Sequence, residues 1–319
     1  MASLWSPPCK RKRQGVDSRL LPFRLVYHEG YDLHLGGHVF PAQKYRLIRD
    51  RLIARGVAEP ADFDEPAPAT DEQLMLVHDR SWVQRLKFGT LSYNEIVKLE
   101  LPYSRHVVDG FWLAAGGTLL AARNALRDGI GFNIGGGFHH AFRAHGEGFC
   151  AIHDVAVAIR ALQHEGAIRT AMVLDLDVHH GNGTAAIFAG DSAVHTVSFH
   201  QLENYPHEKP PSTIDVHLAD GTGDAEYLTK LNEVCSLAIP GYKPDLLVYV
   251  AGADPYFEDQ LGGLSLTMEG LRERDRIVFE TARKHRVPVA VTLAGGYAVK
   301  TDDTVAIHCG AVEAARESW

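Results

Sequence analysis

Four short apolar runs, at 130–134, 171–174, 246–250 and 287–293, each end abruptly in glycine, aspartate or histidine, and helical patterns separate them along the chain. Runs this short and this apolar read as buried strands, and strands without polar alternation must be covered on both faces. The stretches between them have helix punctuation. Pro41 opens an amphipathic helix through Tyr45, Leu47, Ile48 and Leu52 that Gly56 stops. Thr70-Asp-Glu-Gln73 is a capping box, and Asp79 is placed to cap a helix that ends near Gly89. Further helices are expected over 107–126 (across Gly116-Gly117), 155–164, 225–237, 268–284 and 304–315, and further strands over 23–27 and 194–199. The alternation predicts an α/β fold: one mostly parallel sheet with helices on both faces.

No repeat, low-complexity block or Pro/Gly-rich linker divides the chain, so one domain is expected over 21–319. Segment 1–20, with Lys10-Arg11-Lys12-Arg13 beside Pro7-Pro8, reads as a flexible, solvated basic tail, the alternative being a nuclear-import or polyanion-binding patch. A formal net charge of −8 argues against a general nucleic-acid binder and favours cationic substrates. Cys9, Cys150, Cys235 and Cys309 form no CxxC pair and are expected as free thiols in a reducing compartment. No stretch approaches the ~20 apolar residues of a membrane span, and no secretory signal is evident, so the expected location is cytoplasmic, or nuclear in a eukaryote.

In open parallel sheets, ligands bind beyond the carboxyl ends of the strands. The first run leads into Gly135-Gly-Gly-Phe-His139-His140 and the second into Asp175-Leu-Asp177-Val-His179-His180-Gly-Asn182-Gly. The third leads into Ala251-Gly-Ala-Asp254 and the fourth into Ala294-Gly-Gly-Tyr297. Extended side chains alternate, so Asp175, Asp177 and His179 share one side while Leu176 and Val178 take the other. Any one cluster has a plain reading as a solvated loop or a helix cap. Four brought to one sheet edge point instead to a metal site with acid–base groups around it.

These motifs, with Gly148-Phe149-Cys150, resemble the zinc-dependent histone deacetylase family in identity and order, over nearly the whole chain from Leu25 onward. Within that family, His38-Val-Phe-Pro41, Lys44-Tyr45, Leu101-Pro102 and Leu261-Gly-Gly-Leu-Ser265 look most like the class IV branch and its bacterial relatives. The resemblance implies an arginase/deacetylase-like fold and a zinc ion, ferrous iron being the alternative, held by Asp177, His179 and Asp254. Three protein ligands leave a position open for water and a substrate carbonyl, and zinc can bring a water's pKa to about 7. His139 and His140 would hold that water, His140 serving as general base and then acid, and Tyr297 would donate to the oxyanion. Asp175 would partner His139 and Asn182 would partner His140. Class I has Asp where Asn182 stands, and a neutral amide should leave His140 less basic.

The same resemblance places Phe149 on a substrate tunnel wall and leaves its usual opposite partner missing, with Tyr205 the candidate replacement or simply a packed loop tyrosine. Leu261 would line the mouth, and Gly148 would make room for a lysine stem. Ser198 and Phe199, with backbone carbonyls of Asp175, Asp177 and His179, match a structural potassium site. Cys150 is expected to pack against the pocket and not to act as a nucleophile. The implied reaction removes acyl groups from the ε-amine of lysine in proteins or peptides. Acetyl is the default, and class IV likeness raises longer fatty acyl chains admitted by Gly37, Gly262 and Gly263. An acylpolyamine or other small amide is the alternative substrate. A binuclear manganese ureohydrolase would need more bridging carboxylates than Asp254-Pro255 offers, and a non-catalytic acyl-lysine binder would be expected to lack a ligand, a tandem histidine or Tyr297.

Overall fold

The computed structural model describes residues 19–319; Cys9 and the basic run at 10–13 lie outside the described residues. One sheet contains β1 (Arg24–Val26), β2 (Phe63–Asp64), β3 (Ile130–Asn133), β4 (Ala171–Asp175), β5 (Val194–Gln201), β6 (Ile214–Leu218), β7 (Leu246–Val250) and β8 (Val289–Thr292). Their order is β2-β1-β3-β8-β7-β4-β5-β6, and every adjacent pair is parallel. Every residue of β3, β4, β7 and β8 is buried, which requires cover on both faces. The helices are α1 (Lys44–Ala54), α2 (Asp71–Leu74), α3 (Arg80–Phe88), α4 (Tyr93–Leu99), α5 (Arg105–Asp128), α6 (Asp154–His164), α7 (Asn182–Ile187), α8 (Asp224–Tyr242), α9 (Met268–His285) and α10 (Thr301–Ser318). α5 packs with α6, while α8, α9, α10 and α1 pack in succession.

The topology explains why four distant motifs meet. β3, β8, β7 and β4 are consecutive neighbours at the middle of the sheet, so their carboxyl ends deliver residues 135–140, 294–297, 251–254 and 175–182 to one place.

Local signals were mostly realised, with informative exceptions. Thr70 and Gln73 form the reciprocal capping box, and Gly89 closes α3 with a left-handed φ of 68°. Asp79 occupies the N-cap of α3 but makes no side-chain cap bond. Pro41 opens a turn, with helix beginning only at Lys44. α5 runs unbroken through Gly116 and Gly117 because packing demands them there. A Cβ at Gly116 would stand 1.9 Å from the Ala67 carbonyl oxygen, and one at Gly117 would stand 1.9 Å from the Tyr31 hydroxyl. α8 extends past the expected end at 237 to Tyr242, with Pro240 in its last turn. Among the described strands and α-helices, four stand outside the sequence expectation: the two-residue β2, the capped helix α4, the short α7 and the edge strand β6. No helix among the described residues is long and apolar enough to cross a membrane.

Candidate active site

The loop leaving β4 is held by its own side chains. Asp175 Oδ1 accepts from the Asp177 amide (3.2 Å), and Asp177 Oδ1 accepts from the His179 amide (3.0 Å). Asp254, at the end of β7, accepts the Val178 amide at Oδ1 (2.9 Å), while Asp177 Oδ2 accepts the Gly295 amide from the end of β8 (3.0 Å). His179 Nδ1 consequently lies 3.0 Å from Asp177 Oδ1 and 3.5 Å from Asp254 Oδ2. All three residues are buried, and Asp254 Oδ2 has no hydrogen-bond partner among the described residues. Burial and the adjacent Asp177 charge push the Asp254 carboxyl up. Two carboxylates converging on one imidazole nitrogen, with one oxygen left unbonded, form a donor set with surplus negative charge that fits a divalent cation.

Glycine is required on the floor of this site. A Cβ at Gly295 would fall 1.9 Å from Asp254 Oδ2 and 2.4 Å from Asp177 Oδ2, and one at Gly252 would fall 2.6 Å from Asp177 Oδ2. Gly136 and Gly137 take φ of 82° and 80°, which turns the chain so that His139 and His140 face the carboxylates.

The tandem histidines differ in their partners. His139 Nδ1 lies 2.7 Å from Asp175 Oδ2; burial opposes its charge, but Asp175 and Asp177 outweigh burial and hold it near 9. His140 Nδ1 lies 2.8 Å from Asn182 Oδ1, and burial followed by the charges of His139 and His179 presses its pKa well below 6.5. Asn182 Oδ1 also accepts the Gly183 amide (3.0 Å), while its Nδ2 donates to Glu147 Oε1 (2.6 Å). This network orients the amide, so His140 must donate from Nδ1 and keep the Nε2 lone pair free.

Sequence reading had not singled out Glu147. Burial raises its carboxyl, but bonds from His145, Lys98 and Asn182 bring it to about 2, and it also accepts the Tyr205 hydroxyl at 3.1 Å. Its signal is an acidic residue isolated between Gly146 and Gly148, but Asn182 and Tyr205, which tie it to the site, lie 35 and 58 residues away. The anion revises the expectation at position 182. A carboxylate introduced there would face Glu147, and the pair would retain a proton between them. Asn182→Asp alone should therefore move the acidic limb of the kcat/KM profile less than Asn182→Asp/Glu147→Gln, in which the limb rises. Equal limbs in the two variants would refute this coupling.

A cavity of about 200 Å³ opens over Asp177 and His179, walled by Phe40, Phe149, Tyr205, Leu261 and Tyr297. Phe149 holds a positive φ of 66°, uncommon for an aromatic residue, and its ring lies 6.0 Å from that of Tyr297. Tyr205 stands 5.0 Å from the His140 ring, and Tyr297 stands 6.4 Å from the His179 ring. Gly148 does line the cavity; a Cβ there would meet Tyr205 at 2.9 Å and His140 at 3.0 Å. The glycines expected to admit a long tail do not line it. Gly37 faces open space, Gly262 is packed against the Asp254 carbonyl oxygen and Gly263 against the Gln201 side chain.

Ser198 pairs with Asp175 across β4 and β5, and its hydroxyl lies 3.0 Å from His200 Nδ1; Phe199 is buried beside Tyr227. Lys44, another residue to which sequence reading gave no role, is fully buried and donates to the Ala294 carbonyl (2.6 Å). Burial lowers its ammonium to about 8 against the pull of Asp254 and Asp177. Cys150 is a buried free thiol whose pKa burial raises, the opposite of an activated nucleophile.

A parallel sheet buried on both faces, with its polar machinery gathered at the carboxyl ends of its central strands, defines an α/β enzyme with a cleft at the strand tips. A model of the histone deacetylase domain matches residues 38–312. The chain belongs to the histone deacetylase family, and with it to the hydrolases acting on amide bonds. It is 38% identical to an uncharacterised protein of Picosynechococcus sp., over 93% of this chain and 99% of that one. Histone deacetylase 2 of Arabidopsis thaliana is 32% identical over 88% of this chain and 76% of its own, and a probable deacetylase of Archaeoglobus fulgidus is 31% identical over 86% and 81%. The crystal structure of the HDA15 HD domain has the same fold, with a TM-score of 0.78 at 22% identity over 92% of this chain and 88% of that chain.

Proposed function

We propose that this chain is a zinc-dependent deacylase that removes acetyl groups from the ε-amine of lysine in proteins or peptides. The observation carrying this reading is the buried trio of Asp177, His179 and Asp254, with Asp254 Oδ2 unbonded, beneath an aromatic-walled cavity. A zinc ion held by the trio would supply Lewis acidity toward the amide carbonyl and acidity toward a water. Phe149 and Tyr205 bound the aliphatic stem, Leu261 meets it at the mouth, and Tyr297 donates to the oxygen on which charge develops. His140, with Nε2 free, takes a proton from the attacking water and returns it to the departing amine. His139 keeps its proton through Asp175 and balances the growing charge. Ser198 and Phe199, with the carbonyls of Asp175, Asp177 and His179, would hold a structural potassium ion behind the zinc loop.

Acylpolyamines are the second substrate reading. It is favoured by Glu100, which lines the same cavity, and by the net charge of −8. The test is amine release by zinc-loaded protein from lysine peptides bearing acetyl, butyryl, octanoyl and myristoyl groups, with acetylspermidine alongside. Acetyl-lysine turnover at least equal to that of the longer chains is expected. Preference for octanoyl or myristoyl would overturn the acetyl assignment, and turnover of acetylspermidine alone would overturn the lysine assignment.

A further inference from the structure

A second group of metal-ligating side chains lies at the sheet edge, separate from the trio below the cavity. β5 and β6 pair in register, Ser198 with Asp215 and His200 with His217. Alternate strand residues share a face, so these four side chains stand together. His180, immediately after the candidate zinc ligand His179, reaches the same place from the β4 loop. It is fully buried, and neither ring nitrogen has a hydrogen-bond partner among the described residues. Asp215 Oδ1 is buried and likewise unbonded, 3.3 Å from His180 Nε2, while Oδ2 accepts the Ser212 amide. The His200 ring lies 4.6 Å from that of His180, and its Nε2 is 2.8 Å from Nδ1 of the exposed His217.

An imidazole buried with Nδ1 unpartnered, and with Nε2 meeting only the Asp215 carboxylate at 3.3 Å outside hydrogen-bond geometry, has had its hydration poorly replaced, which is unusual in a folded protein. Its neighbours have the chemistry to fill the gap. One donor atom each from His180, His200 and Asp215 lies within 4.8 Å of the others. Bonds of 2.0–2.2 Å in a tetrahedral zinc site place ligand atoms roughly 3.3 Å apart, the separation already present between His180 and Asp215.

We propose that His180, His200 and Asp215 bind a second divalent transition-metal ion, zinc by donor chemistry, with His217 closing the site from the solvent side. Imidazoles with one carboxylate select zinc over magnesium or calcium, and a full protein ligand set marks a structural centre. It is distinct from the potassium site, which would be built from carbonyl oxygens and the Ser198 hydroxyl. The ion would tie strands β5 and β6 to the loop bearing His179.

The test counts zinc per chain after gel filtration of the zinc-loaded protein. Wild type should hold two ions and Asp177→Asn/Asp254→Asn one. Asp215→Asn/His217→Ala, which alters the half-buried and exposed members, should also hold one while keeping amine release within a few-fold of wild type. Cobalt loading of Asp177→Asn/Asp254→Asn should give tetrahedral visible absorption that is lost on adding Asp215→Asn/His217→Ala. One ion in wild type with none in Asp177→Asn/Asp254→Asn, as expected if water fills the gap, would overturn the proposal. So would a second ion indifferent to Asp215 and His217. Because the count is resolved by variants, it also separates two independent sites from a bridged manganese pair, which Asp177→Asn/Asp254→Asn would empty entirely.

Discussion

Tyr297→Phe is expected to lower kcat for amine release by about 10²–10³-fold, the loss produced by removing one donor to a developing oxyanion. The substitution deletes one oxygen and retains the ring, which packs 6.3 Å from Phe40 and 6.0 Å from Phe149, so the cavity wall should survive. Substrate KM should change far less than kcat, because the bond forms in the transition state and not in the ground state. Burial raises the Tyr297 hydroxyl pKa well above 10, so it remains a donor throughout the neutral range. A kcat within a few-fold of wild type would remove Tyr297 from the mechanism.

His140→Gln is expected to lower kcat by ~10²–10⁴-fold, the usual contribution of a positioned acid–base group. It should also remove the acidic limb of the pH–rate profile, and the contrast with His139 gives the sharper result. The positive charge of His139 ranks just behind burial in depressing His140. In His139→Gln that charge is gone, the His140 pKa rises, and the acidic limb of kcat/KM should move to higher pH with residual activity retained. The sign follows because a base protonated at higher pH loses its function at higher pH. A limb that stays put or moves down would show that His140 is not the titrating base.

The sheet and the principal trio were legible because the signal for each is local: an apolar run, then an abrupt group of ligands. What the sequence hid depends on pairing between distant segments. β6 reads Ile-Asp-Val-His-Leu, a half-exposed edge strand whose interspersed polar residues give no apolar run to mark it. Without β6 in register, nothing connects His180 to Asp215 and His217. The helix α4 does carry a local signal, since Ser92-Tyr-Asn-Glu95 forms the capping box its spelling announces. Gly262 and Gly263 mislead in another way. Their smallness suggests empty space, whereas they make room for the Asp254 carbonyl and the Gln201 amide.

The crowding at Gly295, where any side chain would collide with Asp254 and Asp177, constrains how such an enzyme can be altered. Its floor is made of backbone and cannot be retuned by exchanging one side chain for another. The half-exposed rim, where Phe149, Tyr205 and Leu261 stand on loops, has no such restriction. A library aimed at new acyl specificity should therefore yield its active members from the rim, while diversity placed at the floor yields protein that no longer assembles the trio.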